Sequence, residues 1–269
     1  MKILKVLPVL VLLAASGCLK LDETLTIEKN GSGNIELTYI IPEQTVAQMK
    51  SMFKLRDQMD LITGQSAPQT KEEIFQRLFF DPAEERIRQQ LKRYEPFGIT
   101  IDTLKVETRS SARNVNLKVL FADLARLAKT DFFPEHGFTL ARNKDGTYTF
   151  YRASEPNGSQ ENIGSEAAGL LTPVLNGFRA ALKINTPGKI IETNASRKTL
   201  YNAAWIFEFD KDPNAMTALQ RQNMKIVFDG KDLNLPEVRQ IAAAPRKTTV
   251  NQKTVNKLTA SPGSSLPRH

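Results

Sequence analysis

The chain has 269 residues, 41% of them hydrophobic, and a formal net charge of +8 at neutral pH. That charge lies at the ends: residues 1–17 hold Lys2 and Lys5 with no acid, and residues 241–269 hold Arg246, Lys247, Lys253, Lys257 and Arg268 with no acid, which leaves +1 for residues 18–240. A nearly neutral body presents no basic face for phosphates and argues against nucleic acid as a partner, and a single cysteine, Cys18, excludes an internal disulfide.

The first segment reads as an export signal. Lys2 and Lys5 precede an apolar run from Val6 to Ala15 broken by Pro8. The run is shorter than the roughly 20 apolar residues that a membrane-spanning helix needs. Basic residues, then an apolar stretch, then small residues are the order of a secretory leader. Ala15-Ser16-Gly17-Cys18 resembles the lipobox of bacterial lipoproteins, although leucine is more usual at position 15. The resemblance implies cleavage between Gly17 and Cys18, lipid on the Cys18 thiol, and acylation of the new amino group. Several acyl chains anchor a protein stably where one is marginal, at about 0.8 kcal/mol per buried CH₂. Leu19, standing where an aspartate signals retention at the inner membrane, favours the periplasmic face of the outer membrane. The predicted organisation is a signal peptide over 1–17, a lipoprotein domain over 18–240, and a disordered basic tail over 241–269. That tail has few large apolar residues with which to offset its ordering entropy.

Within the body, Leu19, Leu21, Leu25 and Ile27 alternate, as do Ile35, Leu37, Tyr39 and Ile41, around Asn30-Gly31-Ser32-Gly33. This predicts a β-hairpin with a tight turn. Pro42 and Glu43 open a helix bearing Val46, Met49 and Phe53 at helical spacing. Thr70-Lys71-Glu72-Glu73 has the capping-box pattern of a helix running to Phe80. Asp81-Pro82-Ala83-Glu84 offers an aspartate cap and a first-turn proline for another. Strands are expected over 99–109 and 113–121, and a short helix from Asp123 to Lys129. A hairpin is expected in which Phe138 and Leu140 pair with Tyr148 and Phe150 around Asn143–Gly146. A loop over 154–164 and a helix over 165–177 follow. Strands near 180–185, 189–193 and 203–209, a helix near 213–221, and a strand over 225–228 complete the body. Hairpin-then-helix order recurs, so the expected fold class is α+β. The expected architecture is an antiparallel or mixed sheet built from hairpins, with helices packed on one face and a helical insertion over 43–95.

The first hairpin, from Cys18 through Asn30-Gly31-Ser32-Gly33 to Tyr39, resembles the opening of bacterial lipoproteins with an LppM-like domain. So does the later stretch Asn185–Asn194, with its Pro187-Gly188 turn, followed by Trp205-Ile206-Phe207. Asn30 stands where that family usually has aspartate. The resemblance covers both ends of the body but not the helices between, and no active site is carried over. It implies an envelope-facing domain that binds lipid.

Catalytic chemistry finds little support. His136 is the only histidine of the body, with no cysteine or second histidine to complete a zinc site. Asp210–Asn214 echoes a calcium loop, but Ala215 and Arg221 occupy the positions of its glycine and bidentate glutamate. Ser32 lies in a hairpin turn without the spacing of a nucleophile elbow. Glu72, Glu73, Glu84 and Glu85 sit where helix first turns favour acids. No cofactor motif is present, and no metal or catalytic residue is assigned. The apolar candidates are Met49, Met52, Phe53, Phe79 and Phe132, types that can line an adaptable pocket or fill a core. The expected function is that of a non-catalytic, lipid-anchored envelope lipoprotein. It is held to the membrane through lipid on Cys18 and binds a lipid or another envelope component. An assembly partner in an envelope complex, and less so a hydrolase of envelope polymers, are the alternatives.

Overall fold

The computed structural model describes residues 19–63, 79–130, 137–153, 178–212 and 222–239, together with Ala215, Ala218 and Leu219. Strands β1 (Lys20–Ile27) and β2 (Gly33–Pro42) lead into helix α1 (Glu43–Thr63). Helix α2 (Glu84–Leu91) continues as a 3-10 turn (Lys92–Phe97) into β3 (Ile99–Arg109) and β4 (Ala112–Phe121). After α3 (Leu124–Leu127) come β5 (Thr139–Arg142), β6 (Tyr148–Arg152), β7 (Arg179–Asn185), β8 (Ile190–Thr193), β9 (Arg197–Lys198), β10 (Asn202–Glu208) and β11 (Met224–Phe228). The class is α+β. The leader with Gly17 and Cys18, the capping box at 70–73, the loop at 154–164, the helix at 165–177 and the basic tail lie outside the described residues.

The strands divide between two sheets where one was expected. The larger has seven strands in the order β3-β4-β2-β1-β7-β10-β9, and the smaller has four in the order β5-β6-β11-β8. Among the described residues every strand pairing is antiparallel except β1 with β7, which run parallel from Lys20↔Arg179 to Thr26↔Asn185. The larger sheet is therefore mixed. The strands near 180–185 and 189–193 do not form a hairpin: β7 belongs to the larger sheet, and β8 crosses to pair with β11 in the smaller one. A glycine permits this crossing. A Cβ on Gly188 would fall 1.8 Å from the carbonyl oxygen of Asp229. At this glycine the chain passes against the backbone that follows β11, instead of folding back on β7.

Turn chemistry sets the hairpins. Asn30 accepts a hydrogen bond from the Ser32 N–H at 3.0 Å, and Gly31 takes a φ of +82° that a side chain would resist. The β3–β4 turn is different, because Ser110 and Ser111 hold φ values of +50° and +57° without glycine. Asp123 caps α3, accepting from the Ala125 N–H at 2.7 Å. Asp81 does not cap α2 as its position suggested. The helix starts after Ala83, which makes no side-chain cap bond. The Asp81 carboxylate instead meets Lys50 at 2.9 Å, Arg86 at 2.8 Å and Arg113 at 3.6 Å. Three cations offer it more than a backbone amide does.

One apolar core runs through both sheets and the helices. Ile27, Ile35, Val115, Val119 and Phe121 of the larger sheet, Leu140, Phe150 and Ile226 of the smaller, and Val46, Ile87 and Tyr94 of the helical part all belong to it. The two-serine turn gives a prediction. Left-handed conformation costs a non-glycine residue about 1 kcal/mol or more. Replacing Ser110-Ser111 by Asn-Gly should therefore raise stability by about 1 kcal/mol in urea denaturation.

Candidate functional site

Strand β1 turns alternate side chains toward the core, and the alternation includes a half-buried carboxylate. Leu21, Glu23, Leu25 and Ile27 share one register, with Glu23 opposite Leu37 on β2 and Leu182 on β7. Strand β6 does the same with a cation. Tyr148 and Phe150 are buried, and Arg152 follows on their register opposite Met224 of β11. The two charged residues come together at a cavity between the sheets. Its lining is Glu23 and Leu25 of β1, Phe138, Phe150 and Arg152, Leu182–Ile184 of β7, and Met224.

The cavity holds about 20 Å³, room for about one water molecule and far short of the several hundred Å³ of a ligand pocket. Its walls are apolar aromatics and aliphatics with charge at Glu23, Arg152 and Lys183. Burial pushes the Glu23 carboxyl above the usual glutamate range, and the positive charge of Arg152 offsets this only in part. Lys183 has its own partner, Asp22, at 2.9 Å. Perturbed carboxylates are enriched at functional sites, so Glu23 is the described group with the strongest claim to a role. In the sequence its neighbours Leu21 and Leu25 define the strand and mask it. A glutamate on the inward register of an alternating strand was the available signal.

The residues named from the sequence divide differently. Met49 is buried on α1, and Phe53 is half-buried. The Phe79 ring stacks on Tyr39 at 4.7 Å and meets Phe80 edge-on at 5.0 Å. Phe79 is thus occupied in packing against β2. The Met52 side chain, Phe132 and His136 lie outside the described residues. Glu84 pairs with Arg88 one helical turn on, at 2.8 Å. The Asp81 cluster extends through Arg113 to Glu43 at 3.1 Å, tying α1, α2 and β4 together. There, burial would raise the Asp81 carboxyl, but hydrogen bonds from Lys50 and Arg86 outweigh it and hold it below the usual aspartate range. Among the described residues no group of three or more His, Cys, Asp or Glu side chains could hold a metal ion, and no helix is long and apolar enough to cross a membrane.

No protein-family model and no curated protein matches the chain. Among solved structures it is similar to the NMR structure of the folded domain of Mycobacterium tuberculosis LppM, at 12% identity and a TM-score of 0.38, over 81% of this chain and 95% of that one. The likeness is a distant one of fold.

The Glu23 carboxyl yields a prediction whose sign follows from its shift. A carboxyl raised in the folded state holds its proton more tightly there than in the unfolded chain. Its ionisation therefore destabilises the fold as pH rises above the ordinary glutamate value. Glu23→Gln should raise the urea midpoint at pH 7, and the advantage over the parent should shrink as pH falls toward 4.5. A loss of stability at pH 7 would show instead that Glu23 and Arg152 form a net favourable pair.

Proposed function

We propose that this chain is a non-catalytic bacterial envelope lipoprotein, anchored through lipid on Cys18, whose α+β domain binds a lipid or another envelope component. The observation that carries the reading is the junction between the lipobox-like motif and the fold. Leu19 is only 2% exposed, its carbonyl accepts the Arg179 N–H at 3.0 Å, and β1 begins at Lys20. The residue directly after the cysteine at which such a precursor would be cut is thus already part of the core.

The choice of ligand turns on size. The inter-sheet cavity is too small for an acyl chain, so a lipid would lie elsewhere on the domain. One observation favours the second reading, an assembly partner. Ile191, Leu200 and Tyr201 are 55%, 58% and 52% exposed, and they lie close together: the Ile190 N–H donates to the Leu200 carbonyl at 2.7 Å. Exposed apolar side chains grouped in this way suit a protein contact.

Cys18→Ser should abolish incorporation of labelled palmitate and move the protein from the membrane to the soluble fraction. Its circular dichroism should stay that of the parent. Continued membrane association without palmitate would sink the lipoprotein reading. Native mass spectrometry of the lipidated chain then separates the ligands. A co-purifying phospholipid supports lipid binding, whereas photo-crosslinking from Tyr201 to a single envelope protein supports the partner.

A further inference from the structure

We infer that the end of the larger sheet at which β1 begins rests on the phospholipid headgroup surface, a placement that depends on the lipoprotein reading above. One trans peptide, about 3.8 Å between Cα atoms, separates Cys18 from Leu19. Leu19 is buried and hydrogen-bonded to Arg179. No flexible tether therefore lies between the anchor and a strand paired on both edges. Strand pairing fixes what else lies at this end. Lys20 stands opposite Ile40 and Arg179, Arg179 opposite Glu208, Ile41 opposite Arg113, and Arg109 opposite Ala112. The rim thus includes Lys20, the Arg109–Ser111 turn, Arg179 and the Glu208–Lys211 turn.

The chemistry of this rim suits headgroups and not acyl chains. Its exposed side chains include Lys20, Arg109, Ser110, Ser111, Asp210, Lys211 and Asp212. Ile191, Leu200 and Tyr201 belong to the other end, since Asn202 pairs with Asn185 and Asn185 with Thr26 near the close of β1. Long cationic side chains at Lys20, Arg109 and Lys211 can reach phosphates while their stems stay on the protein. Arg109 meets Glu107 at 2.6 Å and Lys211 meets Glu208 at 3.0 Å, so these two cations would exchange or share a carboxylate partner to meet a phosphate, whereas Lys20 is exposed at the start of β1.

The test uses the full lipidated chain in vesicles of phosphatidylethanolamine and phosphatidylglycerol containing a headgroup spin-labelled lipid. Acylated Cys18 has no free thiol, so Ser110→Cys or Lys29→Cys takes a fluorophore at one place. Lys29 lies at the far end of β1, about 26 Å away along eight strand residues. The label at position 110 should be quenched several-fold more than the label at 29. Equal quenching in protein that floats with the vesicles overturns the placement and leaves the lipoprotein reading intact. Failure to float overturns both. A Gly/Ser spacer of about ten residues after Cys18, with a reach of about 17 Å, should bring quenching at 110 down toward that at 29. Undiminished quenching would overturn the short tether as its cause.

Discussion

The larger sheet depends on the parallel pairing of β1 with β7. Strand β1 is first in the body, yet one of its two neighbours lies some 160 residues later, joined to it by Lys183–Asp22 and Asn185–Thr26 side-chain bonds. Without that pairing the sheet separates into a β3-β4-β2-β1 part and a β7-β10-β9 part. Parallel strands need a long connection, and closing so long a loop is entropically expensive and slow. A chain emerges from synthesis N-terminus first. The β1–β2 hairpin can form early, but one edge of β1 stays open until residue 185 has crossed. An unpaired edge is a hazard for aggregation. Asp22, Thr24 and Thr26 on the register opposite the core keep the strand from being apolar on both faces.

The second sheet closes over part of the face that β1 and β7 share, and this is where the fold tolerates charge. Glu23 and Arg152 each occupy a position that the alternation of their strands assigns to apolar side chains. Burying a carboxylate among Leu25, Leu182 and Phe150 carries a desolvation penalty that a single nearby cation offsets incompletely. An apolar pair at these positions would pack the sheets together more firmly. The two charged residues line a water-sized gap at the seam between the sheets. By contrast, the junction of α1, α2 and β4 is held by Asp81 and Glu43 among three arginine and lysine partners, where the ion pairs outweigh burial.

What could be read from the sequence was local. Asn30-Gly31-Ser32-Gly33 and Asn143–Gly146 announce their turns because asparagine and glycine accept the required backbone angles, and the flanking strands alternate in short range. The β3–β4 hairpin was legible from alternation alone, although its turn uses two serines that no turn rule selects. Pairings between distant segments carry no local mark. Nothing in residues 180–193 says that β7 joins β1 in parallel while β8 leaves for another sheet. That choice rests on Gly188 packing against Asp229, and on β11, more than thirty residues on. Asp81 had the position of a cap, and only the arrival of Lys50 and Arg113 from other elements directs it elsewhere.

The same pairings give the domain two unlike ends. At one, Cys18 is joined directly to the core residue Leu19, and the rim of Lys20, Arg109 and Lys211 is polar. At the other, about 26 Å away along β1, Leu200 and Tyr201 are exposed next to Ile191. If the anchor end lies at the headgroups, the apolar group is carried clear of its own bilayer and faces the envelope space. A lipid ligand drawn from that bilayer would approach the first end, and a partner protein the second. The distance between the ends means that the two modes need not exclude each other. A rigid sheet paired through β1 would keep both surfaces in fixed relation.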